Sequence, residues 1–368
     1  MIFRYNEPVP DRVFIIAEAG VNHDGDADQA FALVDVAAEA GADAVKFQTF
    51  KADKLVTRTA VKAAYQADAT GAGESQFQML QRLELSLDLH HRLKRHAEEL
   101  GLSFMSTAFE PESLRFLVQE LGLRTLKIPS GELTNGPFLL EHARAPFERL
   151  LVSTGMANLA EVEQALQIIA FGLAEPVAHP TAEAVAEACG APEIRRLMAE
   201  RVCLLHCTSE YPAAPETVNL RAMETLKQAF QIPVGYSDHT QGIAVSTAAA
   251  ALGARVIEKH FTLDRSLPGP DHKASLEPRE LKAMIEAIRT VELSLGDGGK
   301  RPQAGEWAIA RVARKSLVAA QVIEAGELFS ETNLGVLRPG NGRSPMDYWQ
   351  LLGKPSGRCY QPGDLISD

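Results

Sequence analysis

Residues 234–262, VGYSDHTQGIAVSTAAAALGARVIEKHFT, hold one complete step of the fold. A short apolar run, Val234–Tyr236, ends in Ser237, Asp238 and His239. Ile243–Leu252 is Ala-rich and reads as a helix, and Gly253 stops it. A second run, Arg255–Lys259, leads into His260. The histidines are 21 residues apart (260 − 239), which fits one strand, one crossover helix and the next parallel strand. Strands joined in this way end at the same edge, so the two rings are expected to meet at one mouth. Two neutral imidazoles there would make an incomplete shell for a divalent metal, leaving positions for water and substrate.

The same step recurs on the N-terminal side. Strands are expected at Val13–Ala17, Ala44–Gln48, Ser103–Ser106, Thr125–Ile128, Leu150–Ser153 and Val202–Cys207. Helices are expected at Ala27–Ala40, Leu87–Leu100, Pro111–Leu121, Leu159–Gly172 and Pro278–Leu295. Eight strands with interposed helices predict an α/β chain with a closed (β/α)8 TIM barrel, residues 1–295. Two segments interrupt the repeat. Lys51–Gln81 is polar and reads as a loop over the barrel mouth. Leu173–Arg201, rich in Ala, Glu and Pro, reads as a helical excursion. GDGGKRP at 296–302 opens a linker, 296–308. Short runs at Ser316–Ala320, Asn333–Leu337 and Leu352–Gly353 then predict a small β-rich domain, 309–368.

Composition narrows the function. With 46% hydrophobic and 23% charged residues, the chain reads as an ordinary globular protein. No apolar stretch has membrane-spanning length and no basic-then-apolar leader is found, so a cytoplasmic protein is expected. A net charge of −11 disfavours nonspecific nucleic-acid binding. It leaves room for a small anionic ligand, because nearby lysines outweigh a distant field. The cysteines lack C-x-x-C spacing, and Cys203 and Cys207 read as buried thiols in one apolar run.

Reactive groups of such barrels gather where strands end. Lys46 and Gln48 share a face of one strand, as do Glu258 and His260. Thr107, Lys127, Ser130, Ser209, Tyr211 and Ser237 stand at comparable positions. Two lysines beside hydroxyls suit a ligand carrying phosphate and carboxylate together. Glu18 ends an apolar strand, and a buried carboxylate with a raised pKa is an acid–base candidate. Asp238 alternates away from His239. His23 reads equally as structural or functional. His90, His91, His96 and His142 read as surface residues.

Several motifs occur in order: AEAGVNH (17–23), VKFQTF (45–50), KIPSGE (127–132), HCTSEYP (206–212), GYSDHT (235–240), EKHFT (258–262), PGPDH (268–272) and RPGNG (338–342). Together they resemble the sialic acid synthase family, whose small C-terminal module is the antifreeze-like, or SAF, domain. The resemblance implies condensation of phosphoenolpyruvate with an N-acyl hexosamine and water, giving a nine-carbon 2-keto acid and phosphate. N-acetylmannosamine is the typical acceptor and N-acetylneuraminate the product. It implies a divalent metal on His239 and His260, commonly Mn2+, with Mg2+ or Co2+ as alternatives. Lys46, Thr107, Lys127, Ser130, Ser209 and Ser237 would hold phosphoenolpyruvate. Gln48, Tyr211 and Asp271 would face the sugar, and Glu18 would assist proton movement. It further implies a domain-swapped homodimer in which Arg338 reaches the N-acyl group of the partner's substrate. Within the family, a legionaminate synthase acting on a 2,4-diacetamido-6-deoxy-mannose is the alternative. A metal-dependent pyruvate aldolase is the rival of another class, and the second lysine, Lys127, speaks against it. A non-enzymatic sugar-binding protein would leave the polar strand ends unexplained.

Overall fold

The structure is a computed structural model. It describes residues 12–367 other than 72, 176 and 177, with the backbone alone at 68 and 69. The chain divides after Gly296 into two compact units.

The first unit opens with β1 (Phe14–Gly20), α1 (Ala27–Ala40) and β2 (Ala44–Thr49). Three short helices follow, α2 (Ala52–Leu55), α3 (Ala64–Thr70) and α4 (Gln76–Leu83). Next come α5 (Leu87–Glu99), β3 (Ser103–Ala108), α6 (Pro111–Arg115), β4 (Thr125–Ile128), α7 (Gly136–Arg144) and β5 (Arg149–Ser153). After them stand α8 (Leu159–Ala174), α9 (Ala182–Gly190), α10 (Pro192–Arg201) and β6 (Val202–Cys207). The unit closes with α11 (Ala222–Phe230), β7 (Val234–Asp238), α12 (Ala244–Ala251), β8 (Val256–His260) and α13 (Pro278–Leu295).

These eight strands pair in parallel, in the order β3-β2-β1-β8-β7-β6-β5-β4. The two end strands of that order, β3 and β4, lie side by side, so the sheet closes as the expected (β/α)8 barrel. Strand alternation sorts the side chains. Ile15, Ala17, Val45, Phe47, Leu150, Val152, Leu204 and Ile257 join the layer between strands and helices. Ile16, Ala44, Met105, Leu151, Cys203 and Val256 form a separate apolar floor inside the ring. Two residues farther along the strands, the inner positions turn polar: Glu18, Lys46, Thr107, Ser153 and Glu258. A dry floor therefore lies directly beneath a charged layer.

Helix patterning supports this arrangement. Asp26 caps α1 by accepting from Gln29 N–H, and Ala30, Leu33, Val34 and Ala37 bury its inner stripe. The helix expected at Pro111–Leu121 is α6 followed by a wider π-helical turn, Phe116–Glu120. The helical excursion expected at Leu173–Arg201 holds α9 and α10, with residues 176 and 177 outside the described set.

Lys51–Gln81 departs from its reading as a loop, because α2, α3 and α4 occupy it. Glu84 fastens its root, accepting from Lys51 Nζ at 2.9 Å and from Ala52 N–H at 2.8 Å. Lys62 ties the middle, donating to Thr70 Oγ1 (2.7 Å), Gly71 O (2.9 Å) and Glu74 Oε1 (3.1 Å). Ser75 and Gln78 form a reciprocal capping box at the start of α4.

The second unit contains α14 (Glu306–Ala313), the antiparallel pair β9 (Ser316–Ala319) and β10 (Leu334–Leu337), and α15 (Tyr348–Leu351). Residues 297–308 belong to this unit, and its first helix crosses the expected linker boundary. Leu352–Gly353, read as an extended run, follows α15 instead. Leu317, Ile323, Phe329, Leu334, Tyr360 and Ile366 form the unit's own core. Among the described residues, no helix is long and apolar enough to cross a membrane.

Candidate active site

Neighbouring strands bring the charged layer together. Glu18 is in register with Lys46 on one side and with His260 on the other. Lys46 Nζ lies 2.5 Å from Glu18 Oε2 and 3.6 Å from Glu258 Oε2, and it donates to Thr107 Oγ1 at 3.0 Å. Glu258 Oε1 accepts from Lys127 Nζ at 3.2 Å and from Ser237 Oγ at 3.0 Å. All four charged groups are buried. Burial holds the Glu18 carboxyl up at about 7, against the pull of Lys46. Burial also pushes on Glu258, but Lys127, Lys46 and the Ser237 hydrogen bond overcome it and hold that group at about 2. Two carboxylates in one layer thus differ in protonation near neutrality, as an acid–base site requires.

Above this layer stand the imidazoles. The His239 and His260 ring centroids are 5.5 Å apart. His239 Nδ1 bonds to Thr208 O at 2.6 Å, so Nδ1 carries the proton and Nε2 keeps a free lone pair. His260 Nδ1 is buried without a hydrogen-bond partner. Burial lowers both, His239 to about 4 and His260 well below the usual histidine range. Neutral rings with available nitrogens fit a divalent cation. Among the described residues no group of three or more His, Cys, Asp or Glu is arranged to hold a metal. Tyr211 lies against His239 at 4.1 Å between centroids and meets His260 edge-on at 5.6 Å.

One cavity of about 460 Å³ joins these groups. Glu18, Lys46, Gln48, Thr107, Lys127, Ser130, Ser209, Tyr211, Ser237, His239, His260 and Asp271 all line it. Arg338 lies in the second unit, exposed just past β10. Ser130 Oγ and Ser209 Oγ stand 3.3 Å apart, and Gly155 fits between their loops. A Cβ at position 155 would come within 2.5 Å of both serine side chains. The outer wall comes from the segment after β2, residues 51–84, and is mixed. Tyr65 and Gln66 are joined there by Leu55, Val56, Met79, Leu80 and Leu83. Tyr65 stacks on Tyr211 at 5.1 Å.

Other histidines fall elsewhere. His90 and His142 are fully buried, contrary to their surface reading. His90 Nε2 bonds Thr49 Oγ1 at 2.8 Å, and His142 Nδ1 donates to Phe138 O at 2.9 Å. Both occupy inner helical stripes, His90 beside Leu89 and His142 beside Leu139. His23 is buried, is held at about 4 by burial, and does not line the cavity; its Nδ1 accepts from Gly25 N–H. Asp238 does face away from His239. It pairs with Lys259 at 3.0 Å where both are fully buried, and it accepts from Thr240 and Ser246. Removing either member would strand a buried charge and cost about 3–5 kcal/mol. Cys203 and Cys207 are buried free thiols, whereas Cys359 is exposed.

Sequence reasoning gave no role to Glu258, Ser153 or Tyr65. Glu258 was legible through its two-residue spacing from His260. Ser153 ends β5, and its buried Oγ lines the cavity. Tyr65 carried no comparable signal, because it sits on a short helix within a polar stretch.

A closed barrel whose strand ends gather two lysines, two carboxylates and two neutral imidazoles has the build of the (β/α)8-barrel enzymes. The chain belongs to the NeuB family, which matches residues 33–300, and it carries a SAF domain at residues 314–368. The N,N'-diacetyllegionaminic acid synthase of Campylobacter jejuni is 47% identical over 357 residues, covering 97% of this chain and 99% of its own. The enzyme of the same name from Legionella pneumophila is 46% identical over 340 residues, 92% of this chain and 89% of its own. The crystal structure of the N-acetylneuraminic acid (sialic acid) synthetase of Leptospira borgpetersenii serovar Hardjo-bovis, in complex with citrate, aligns with a TM-score of 0.64 at 31% identity. It covers 81% of this chain and 90% of that one.

Proposed function

We propose that the chain is a legionaminate-type nonulosonate synthase. It condenses phosphoenolpyruvate with a 2,4-diacetamido-6-deoxy-mannose and water, and releases phosphate. The observation that carries this reading is the 47% and 46% identity to two N,N'-diacetyllegionaminic acid synthases, against 35% to the N-acetylneuraminate-9-phosphate synthase of Homo sapiens. N-acetylmannosamine, put first by the motifs alone, becomes the second choice. The apolar part of the outer wall, Leu55, Val56, Met79, Leu80 and Leu83, agrees. A 6-methyl group gains contact there, whereas a 6-hydroxyl would need Tyr65, Gln66 or Gln76 on the same wall to replace its lost water.

In this reading Lys46 and Lys127 hold the carboxylate and phosphate of the donor, with Thr107, Ser130, Ser209 and Ser237 adding hydroxyl donors. Ser153 Oγ, beside the Cys207 thiol, lines the same cavity. Gln48, Tyr211 and Asp271 orient the aminosugar. His239 and His260 hold a divalent cation, Mn2+ in this reading, which when bound would polarise the sugar aldehyde. The methylene carbon C3 of the donor forms a bond to the aldehyde carbon, whose oxygen takes up a proton. Water adds at C2, the carbon bearing the phosphate ester, and gives up a proton; the C2–O bond to phosphate then breaks and leaves the 2-keto group. Glu18, held near 7, is placed to move a proton in these steps. Bringing the reactants into one cavity replaces a three-body encounter. The chain works as a cytoplasmic homodimer in which Arg338 serves the partner's acceptor. Exposed Trp307, Ile309 and Val312 on α14 support an interface.

The test offers purified protein phosphoenolpyruvate, Mn2+ and each aminosugar, and records phosphate release and product mass. Preference for the diacetamido sugar is expected. Turnover with N-acetylmannosamine alone would return the reading to N-acetylneuraminate synthesis; product formed in a parallel reaction with pyruvate in place of phosphoenolpyruvate would make the chain an aldolase.

A further inference from the structure

The turn after β1 is tied to the loop after β8 by two separate routes. Asp24 Oδ2 lies 3.0 Å from His272 Nε2. The other ring nitrogen, Nδ1, lies 2.7 Å from Thr262 Oγ1, so the fully buried His272 is gripped on both sides. Asn22 Nδ2 donates to Ser275 Oγ at 2.8 Å and to Phe261 O at 2.8 Å. Ser275 Oγ in turn donates to the backbone oxygen of Asp271 at 2.7 Å.

Both routes meet at one residue. Asp271 follows Gly269 and Pro270, precedes the gripped His272, and receives the Ser275 hydroxyl. The approach is tight: a Cβ at Gly269 would stand 2.5 Å from Asp24 Oδ1 and 2.5 Å from His272 Nε2. Asp24 itself holds φ at +50, an unusual backbone state that aspartate tolerates better than most residues. The Asp271 side chain is almost fully buried and lines the cavity. Neither Asn22 nor Asp24 lines that cavity, so neither acts on a substrate directly.

We propose that Asn22 and Asp24 are positioning residues that hold the Asp271 carboxylate on the acceptor through Ser275 and His272. This rests on the reading of Asp271 as an acceptor contact. It accounts for the Asn-His-Asp turn at 22–24, to which the condensation itself gives no role.

The test is a double-mutant cycle on the full chain, run with phosphoenolpyruvate, Mn2+ and whichever aminosugar the wild type turns over. Asp24→Ala should raise the acceptor KM about tenfold and leave the phosphoenolpyruvate KM within about twofold, as expected for one misplaced group. Asp24→Ala combined with Asp271→Asn should be no worse than Asp271→Asn alone, because the first acts through the second. Asp24→Asn, which still accepts from Nε2–H, should recover most of the loss. Additive losses, or equal rises in both KM values, would overturn the proposal. If Asp24→Ala does not fold, His272→Gln takes its place in the cycle with the same expected and overturning outcomes. Should the wild type use neither aminosugar, the acceptor reading falls by itself. The positioning claim is then decided by a crystal structure of His272→Gln: displacement of the Asp271 carboxylate by more than about 1 Å upholds it, and an unmoved carboxylate refutes it.

Discussion

Glu18 and Lys46 face each other across neighbouring strands, with Oε2 and Nζ 2.5 Å apart. Despite this contact the carboxyl sits near 7, because burial and the nearby Glu258 outweigh the lysine. Glu18→Gln should therefore lower kcat by about 10²-fold or more. It should also remove the inflection near pH 7 from the pH–rate profile. A variant that keeps both the wild-type kcat and the inflection would exclude Glu18 from proton movement.

Lys127 reaches into the same cavity from the opposite side of Glu258. Lys127→Met should raise the KM for phosphoenolpyruvate by about tenfold or more, the scale of a lost charge-assisted bond. The aminosugar KM should change far less. Equal effects on the two substrates would argue against a donor-specific cation.

Prolonged chelation should abolish turnover, and added Mn2+ should restore it. In calorimetric titrations, His239→Ala and His260→Ala should each weaken Mn2+ binding by about 10²-fold or more. Full activity in chelated protein with no bound metal would remove the imidazole pair from the chemistry.

The outer wall sets the acceptor in the proposed reading. Leu80→Gln, on the half-buried part of that wall, should lower the preference for the diacetamido sugar over N-acetylmannosamine by about tenfold. Competition between the two sugars, read by product mass, measures that ratio. An unchanged ratio would mean that the wall does not face the distal end of the sugar.

His142 lies outside the cavity, and burial holds it at about 4 rather than the 6.5 of a free histidine. Between those values the unfolded chain binds a proton that the folded chain does not, so stability falls as pH drops through the window. The slope from this residue is about 1.4 kcal/mol per pH unit. In His142→Leu, the loss of unfolding free energy between pH 6.5 and pH 4.5 should shrink by about 2 kcal/mol, measured by denaturant melts. An identical loss in both proteins would show that His142 does not titrate on unfolding.

The sequence made the barrel legible because each strand combines an apolar run with a polar end, and each long helix carries a stripe with a clear stop. Ala27–Ala40 and Pro278–Leu295 have the bounds expected of them. Strand ends were harder to place. β1 runs on to Gly20 and β7 to Asp238, because polar residues at a barrel mouth still belong to the ladder. The excursion after β2 was misread because helices of four, seven and eight residues are too short to show an apolar period. The Ser75–Gln78 capping box was the signal available there. His90 and His142 depart from the surface expected of polar side chains because each lies on the inner stripe of its helix. The spacing of Glu258 from His260 places it on the inner face, but its pairing with Lys127 and Lys46 follows only from closure of the ring.

Glu84 has a consequence for engineering. By gripping Lys51 and the amide of Ala52, it fastens the first residues of the excursion beside the residue where the chain rejoins the scaffold. The 34 residues 51–84 (84 − 51 + 1) thus form a cassette with a closed base. Such a segment is suited to transplantation between relatives, with the graft junctions carried inside the exchanged piece.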